Sequence, residues 1–257
     1  MNQNSLVFKN SIIEILNGNY LHFININSIT PELESLIDDK IRLITEGDTD
    51  TDVESIKRRL VEYLERKKGT TTELGAVAEF MIHLYLNEKG FKQEFLYFNL
   101  EERSIKKGFD GYFSFLNDEW ILESKSGSST TNGISHLSKI KEAYSDLEFK
   151  IKDEEGNNPW RNAYNHACHI DVKSSRDIIK NLKSLTDDFD NKKFQFLENL
   201  KIIPSSTIFY VDHWQEIDEE HLAEQLEGEF KARKFNEIHI ICINKKSLQL
   251  LKDYLTK

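Results

Sequence analysis

Asp110, Glu123 and Lys125 are the residues of this sequence whose types and spacing could support a reaction. They lie in an aromatic and aliphatic stretch from Gly108 to Gly127 that reads as two strands joined by a polar turn at Asn117-Asp118. Strand side chains alternate faces, so Glu123 and Lys125 emerge on the same side of a sheet. A two-residue turn at Asn117-Asp118 pairs Leu116 with Glu119, sets Tyr112 opposite Glu123 and Asp110 opposite Lys125, and so brings Asp110 to that face. Two carboxylates at one end of an apolar hairpin are costly to ionise unless a cation pairs with them. Mg2+, with Mn2+ as a substitute, suits such a pair, because it takes one or two carboxylates and leaves its other positions to water and phosphate oxygens. The same three residues would also serve as a solvated ion-pair cluster on a surface hairpin, which needs no metal.

Gly108-x-Asp110, then twelve residues, then Glu123-Ser124-Lys125, all preceded by Gly75-Ala76-Val77-Ala78-Glu79 in a helical stretch, is a pattern that resembles the PD-(D/E)XK nuclease superfamily. The resemblance runs from about Thr70 to Lys150. It implies metal-dependent hydrolysis of DNA phosphodiesters, with Asp110 and Glu123 as metal ligands, the backbone carbonyl of Ser124 as a further ligand, and Lys125 activating the attacking water. Glu79, among small and apolar neighbours, corresponds to the acid that the superfamily places on this helix beside the metal. Its alternative is a boundary residue bonded to a nearby lysine. Phe109 stands where a proline often precedes the Asp. The length, the late Asp and Glu-x-Lys and the long C-terminal tail are similar to the nuclease subunits of Hachiman anti-phage defence systems, which implies a helicase partner. A stand-alone restriction-type endonuclease, or a catalytically inert nuclease-fold binding protein, would be built on the same fold.

The chain carries 44 acids against 34 bases, a net charge of -10, which argues against coating nucleic acid through bulk charge. DNA contacts are therefore expected to be local. Candidates are the basic turn Arg103-Ser104-Ile105-Lys106-Lys107, the hydroxyl-rich loop Ser126 to Gly133, and a stripe of Lys173, Arg176, Lys180 and Lys183. Cys168 and Cys242 stand 74 residues apart without a second Cys near either, which excludes a zinc knuckle, makes a disulfide framework improbable and reads as core thiols. His166 and His169 lack an acid to complete a zinc site and read as packing residues. His136, at a helix start, could touch substrate but reads as a solvent or capping residue. Asp48, Asp50 and Asp52 open like a calcium loop, but Val53 and Arg59 fall where its glycine and last acid should be. With no run of eighteen apolar residues and no signal-like start, the expectation is no membrane association and a cytoplasmic location.

The surrounding periodicity predicts short strands within 6–26, helices over Pro31 to Thr45, Val53 to Lys68 and Thr70 to Lys89, and a strand from Phe91 to Leu100. After the hairpin come helices over Ile134 to Lys150, Trp160 to Val172 and Ser175 to Asp187. Strands Ile202 to Val211 and Glu237 to Asn244 flank a helix from Asp218 to Phe230, and Lys246 to Leu255 closes the chain. The later strand is apolar on both faces and is expected at the centre of a sheet. Together these predict an α/β fold with a mixed central sheet flanked by helices, a restriction-endonuclease-like core. Residues 1–69 form a mainly helical N-terminal extension, and 70–257 a nuclease-like domain with a helical insertion around 158–200.

Overall fold

Helices begin where short polar side chains can accept the first free backbone N–H groups. The computed structural model describes residues 5, 7–15, 18–98, 108–152 and 157–257. Thr30 caps α1 (Pro31–Glu46), Asp52 caps α2 (Val53–Arg66) and Thr70 caps α3 (Thr71–Glu88). Ser135 opens α4 (His136–Lys150) through a reciprocal capping box with Ser138. Asn158 caps α5 (Pro159–Ala167), Ser175 caps α6 (Arg176–Asp190) and Asp218 caps α7 (Glu219–Phe230). The last helix, α8, spans Gln249–Leu255.

The strands are β1 (Lys9–Ile15), β2 (Asn19–Ile26), β3 (Lys92–Gln93), β4 (Gly111–Phe115), β5 (Asp118–Ser128), β6 (Lys201–Phe209) and β7 (Glu237–Lys245). Among the described residues they form one mixed sheet in the order β1-β2-β7-β6-β5-β4-β3. β2, β7, β6 and β5 run parallel, and antiparallel hairpins finish both edges. The central position of β7 follows from its buried run Ile238 to Lys245. α1, α2, α3 and α8 pack an apolar layer onto one face, and α4 to α7 cover the other. Burying a large apolar side chain contributes about 1.5–3 kcal/mol, so Phe80, Tyr85, Phe113 and Trp160, all essentially inaccessible, hold much of this arrangement.

Residues in the expected N-terminal extension add β1 and β2 to the same sheet and α1 and α2 to the same core. The expected strand from Phe91 is a two-residue strand. Past Gln93 the chain is drawn to the end of α1, where Gln93 Nε2 and Tyr97 N–H both donate to the carbonyl of Ile44 at 2.9 Å. The expected helix over Trp160 to Val172 stops at Ala167 and resumes as a 3-10 turn, Ile170–Val172, because His169 is extended.

Gly47 ends α1 at φ +82°, and a Cβ there would lie 2.5 Å from the Asp171 carbonyl oxygen. Asp48 N–H donates to that same oxygen at 2.8 Å. Gly47→Ala combines left-handed strain with a backbone clash, so thermal unfolding should shift down by about 2–4 °C per kcal/mol for a cost of order 1–3 kcal/mol. An unchanged midpoint would show that this junction relaxes freely.

Candidate active site

The hairpin turn falls one residue earlier than the sequence suggests. Leu116 and Asn117, both at positive φ, occupy its two central positions, as a type I′ turn requires. Asp118 instead enters β5, where it pairs with Lys201 at 2.8 Å. Phe113 is now opposite Trp120, Tyr112 opposite Ile121 and Gly111 opposite Leu122. The ladder ends at Gly111 and Leu122, and that register continued by one residue sets Asp110 toward Glu123 rather than Lys125. The shift is an even number in pairing terms, so Asp110 keeps the face expected of it.

Local backbone chemistry then fixes Asp110. Its N–H donates to the Leu122 carbonyl at 3.0 Å, and β4 is not extended beyond that link. The next outward-facing N–H of β5, that of Ser124, is taken by Asp110 Oδ2 at 2.8 Å. The carboxylate replaces a missing strand partner. Because N–H and C=O of one strand residue point to the same edge, the Ser124 carbonyl faces the Asp110 side, as a backbone metal ligand would need.

Glu123 lies at the centre, 1% exposed. Lys125 Nζ bonds Glu123 Oε1 at 3.0 Å, and Lys150 Nζ bonds Glu123 Oε2 at 2.6 Å. Lys125 is also paired with Asp146, while the Glu123 carbonyl accepts from Ser205 Oγ at 3.0 Å. Burial, and then the neighbouring Asp110 charge, push Glu123 up to about 7 against the pull of Lys150 and Lys125. Burial disfavours the Lys125 ammonium, but Glu123 and Asp146 outweigh it and hold Lys125 above the ordinary lysine value. Lys150 is raised in the same way, its burial outweighed by Glu123 and Asp110.

Glu79 stands on α3, across the sheet from α4. Its Oε1 lies 3.8 Å from His83 Nε2, and that ring nitrogen bonds the Asp110 carbonyl at 3.2 Å. Glu79 thus reaches the Asp110 backbone by way of His83.

Asp146 and Lys150 were not singled out by sequence reasoning. They stand four apart on α4, hence side by side, and flank the buried Leu147. That polar pair bordering an apolar stripe was the available signal. His136 corrects the expectation of a solvent or capping residue: it is buried, with Nδ1 2.9 Å from Ser206 Oγ and Nε2 2.8 Å from Asn244 Oδ1. Asn244 Nδ2 donates to the Gln215 carbonyl, so Oδ1 can only accept and His136 carries its proton on Nε2. These bonds tie the start of α4 to β6 and β7, and so orient the helix that delivers Asp146 and Lys150.

Other candidates separate from the cluster. The expected Ser/Thr loop is strand as far as Ser128, which pairs with Phe209, since small residues and Gly127 beneath Ile134 fit there. Lys173 and Lys183 are paired with Asp48 and Asp187, leaving a weaker basic stripe than expected. The turn Arg103 to Lys107 lies outside the described residues. His166 packs as expected, stacked on Phe95 at 3.9 Å and accepting from Leu96 N–H. Cys242 is a core thiol, but Cys168, the residue at the C-terminal cap of α5, is exposed. A cavity of about 680 Å³ lined by Thr45, Arg59, Tyr63, Arg66, Phe98 and His169 shares no residue with the cluster.

Among the described residues no three His, Cys, Asp or Glu side chains gather to hold a metal. A cation here would rest on Asp110, Glu123 and the Ser124 carbonyl with water completing its shell, a donor set that fits Mg2+ or Mn2+. No described helix is long and apolar enough to cross a membrane. No protein-family model matches the chain, and no curated protein matches it significantly.

Proposed function

We propose that this chain is a metal-dependent DNA nuclease of the PD-(D/E)XK type, acting as the effector subunit of an anti-phage complex with a helicase. The observation that carries this reading is the meeting of Asp110, buried Glu123 and Lys125 where β4 parts from β5. When bound, Mg2+ supplies Lewis-acid polarisation of a phosphate and a lowered pKa for water. Asp110 and Glu123 hold it, and the Ser124 carbonyl faces the same place. Lys125, fixed between Glu123 and Asp146, orients the attacking water or meets charge as it develops on the phosphate. The similarity to HamA, the nuclease subunit of the Hachiman system, is the source of the helicase and of the defence role. Cleavage of plasmid DNA in Mg2+, abolished by EDTA, tests the activity, and intact DNA in both chain-alone and helicase-supplemented reactions would refute it.

One observation favours a second reading. Both oxygens of Glu123 are already paired with lysines, a closed network that an inert nuclease-fold binding protein could keep for stability alone. Divalent-cation titration separates the two.

Charge set against task gives a further expected result. Phosphate neutralisation by Lys and Arg supplies most non-specific affinity, yet acids outnumber bases 44 to 34. The isolated chain should therefore bind DNA weakly near physiological salt, with affinity falling steeply as salt rises, and the helicase should restore it. Tight binding and efficient cleavage by the chain alone would favour the stand-alone endonuclease.

A further inference from the structure

Two lysines share Glu123, and their surroundings differ. Lys125 is gripped by two carboxylates, Glu123 on its own strand and Asp146 on α4. Lys150 has its ion pair with Glu123 Oε2 at 2.6 Å. Lys150 therefore rests on one oxygen of the acid at the centre of the candidate metal site, while Lys125 is anchored to its other oxygen and to Asp146. Lys150 is also the last residue of α4, and its side chain retains 17% exposure. A four-carbon stem in that place can swing its ammonium outward without moving the helix.

A doubly charged cation and an ammonium repel each other strongly in so buried a place. Resting on the nuclease reading above, we propose that Lys150 competes with the divalent cation for Glu123 Oε2 and, once displaced, contacts a DNA phosphate. The lysine keeps the buried carboxylates neutralised before metal arrives, then serves as a substrate-binding cation beside Lys125. Asp146 makes the exchange selective by holding Lys125 back.

The test is calorimetric titration of Mn2+ into the full-length chain. Lys150→Met, which keeps the apolar stem and removes the charge, should bind Mn2+ on the order of tenfold more tightly than the unaltered chain, within the usual range for coupled ligands. At saturating metal the same variant should show a several-fold higher KM for DNA with a smaller change in kcat, the pattern of a lost binding contact. Lys150→Gln, which retains a donor to Glu123, reads the same comparison should the Met variant fold poorly. Equal or weaker Mn2+ binding by a folded Lys150 variant would overturn the competition, and an unchanged KM would overturn the phosphate contact. If the unaltered chain binds no Mn2+ that Glu123→Gln abolishes, the nuclease reading falls and this inference falls with it.

Discussion

Lys125→Ala is expected to lose DNA cleavage by about 10²- to 10⁴-fold, the range for a positioned acid–base or charge-stabilising group, while the protein still folds. The fold should survive because Lys150 Nζ remains on Glu123 at 2.6 Å, so the buried carboxylate is not left without a cation. Glu123→Ala should lose cleavage as completely but at a structural cost, since it strands Lys150 and takes one of two acids from Lys125. Breaking a buried pair from one side costs about 3–5 kcal/mol. Cleavage rates in Mg2+ together with far-UV circular dichroism separate the two effects. Near-normal cleavage by folded Lys125→Ala would show that the chemistry lies elsewhere.

The second large effect is a loss of stability in mild acid. Burial lowers His136 to about 4, opposed by its bond to Asn244, and burial lowers His239 to about 3 and His22 well below its ordinary value. His22 and His239 bond each other at 2.8 Å, and His22 bonds Tyr85 OH at 2.8 Å, so both rings are needed neutral. A histidine whose folded pKa is depressed leaves the unfolded chain binding more protons. Its contribution is complete above about pH 6.5, is lost progressively toward pH 4, and levels off below the folded pKa. For His136 the full loss is about 3 kcal/mol, and the His22–His239 pair adds to it, against a typical domain stability of about 5–15 kcal/mol. Urea unfolding followed from about pH 7 to pH 4.5 should show a net fall, offset in part by Glu123, whose carboxyl, pushed up to about 7, favours the folded chain as it takes up a proton, and His136→Asn should make that fall shallower. A pH dependence that His136→Asn leaves unchanged would contradict this reading of the buried rings.

Much of the framework was legible in the sequence because it rests on local chemistry. Thr30-Pro31, Asp52, Thr70 and the glycines at 47, 69 and 90 bracket α1, α2 and α3 closely. The doubly apolar run Ile238 to Ile243 identified a central strand. Strand parity placed Asp110, Glu123 and Lys125 on one face although the turn was misplaced, since shifting a two-residue turn by one position preserves the face. What escaped depended on tertiary partners. Lys150 and Asp146 become part of the site only because α4 folds back over β5, and His136 is buried only because Ser206 and Asn244 arrive on β6 and β7. Glu94 to Phe98 read as strand, but the end of α1 offers the Ile44 and Thr45 carbonyls to Tyr97 and Phe98, a competition that no local pattern announces.

On the proposed nuclease reading, Asp110 and Glu123 hold one divalent cation. The most direct measurement of this is the stoichiometry of Mn2+ binding to the full-length chain and to Asp110→Asn and Glu123→Gln, each first shown to be folded. One site per chain, lost or severely weakened in both variants, is the expected result. Mn2+ binding that is indistinguishable among the three proteins, or absent from the unaltered chain, would contradict it.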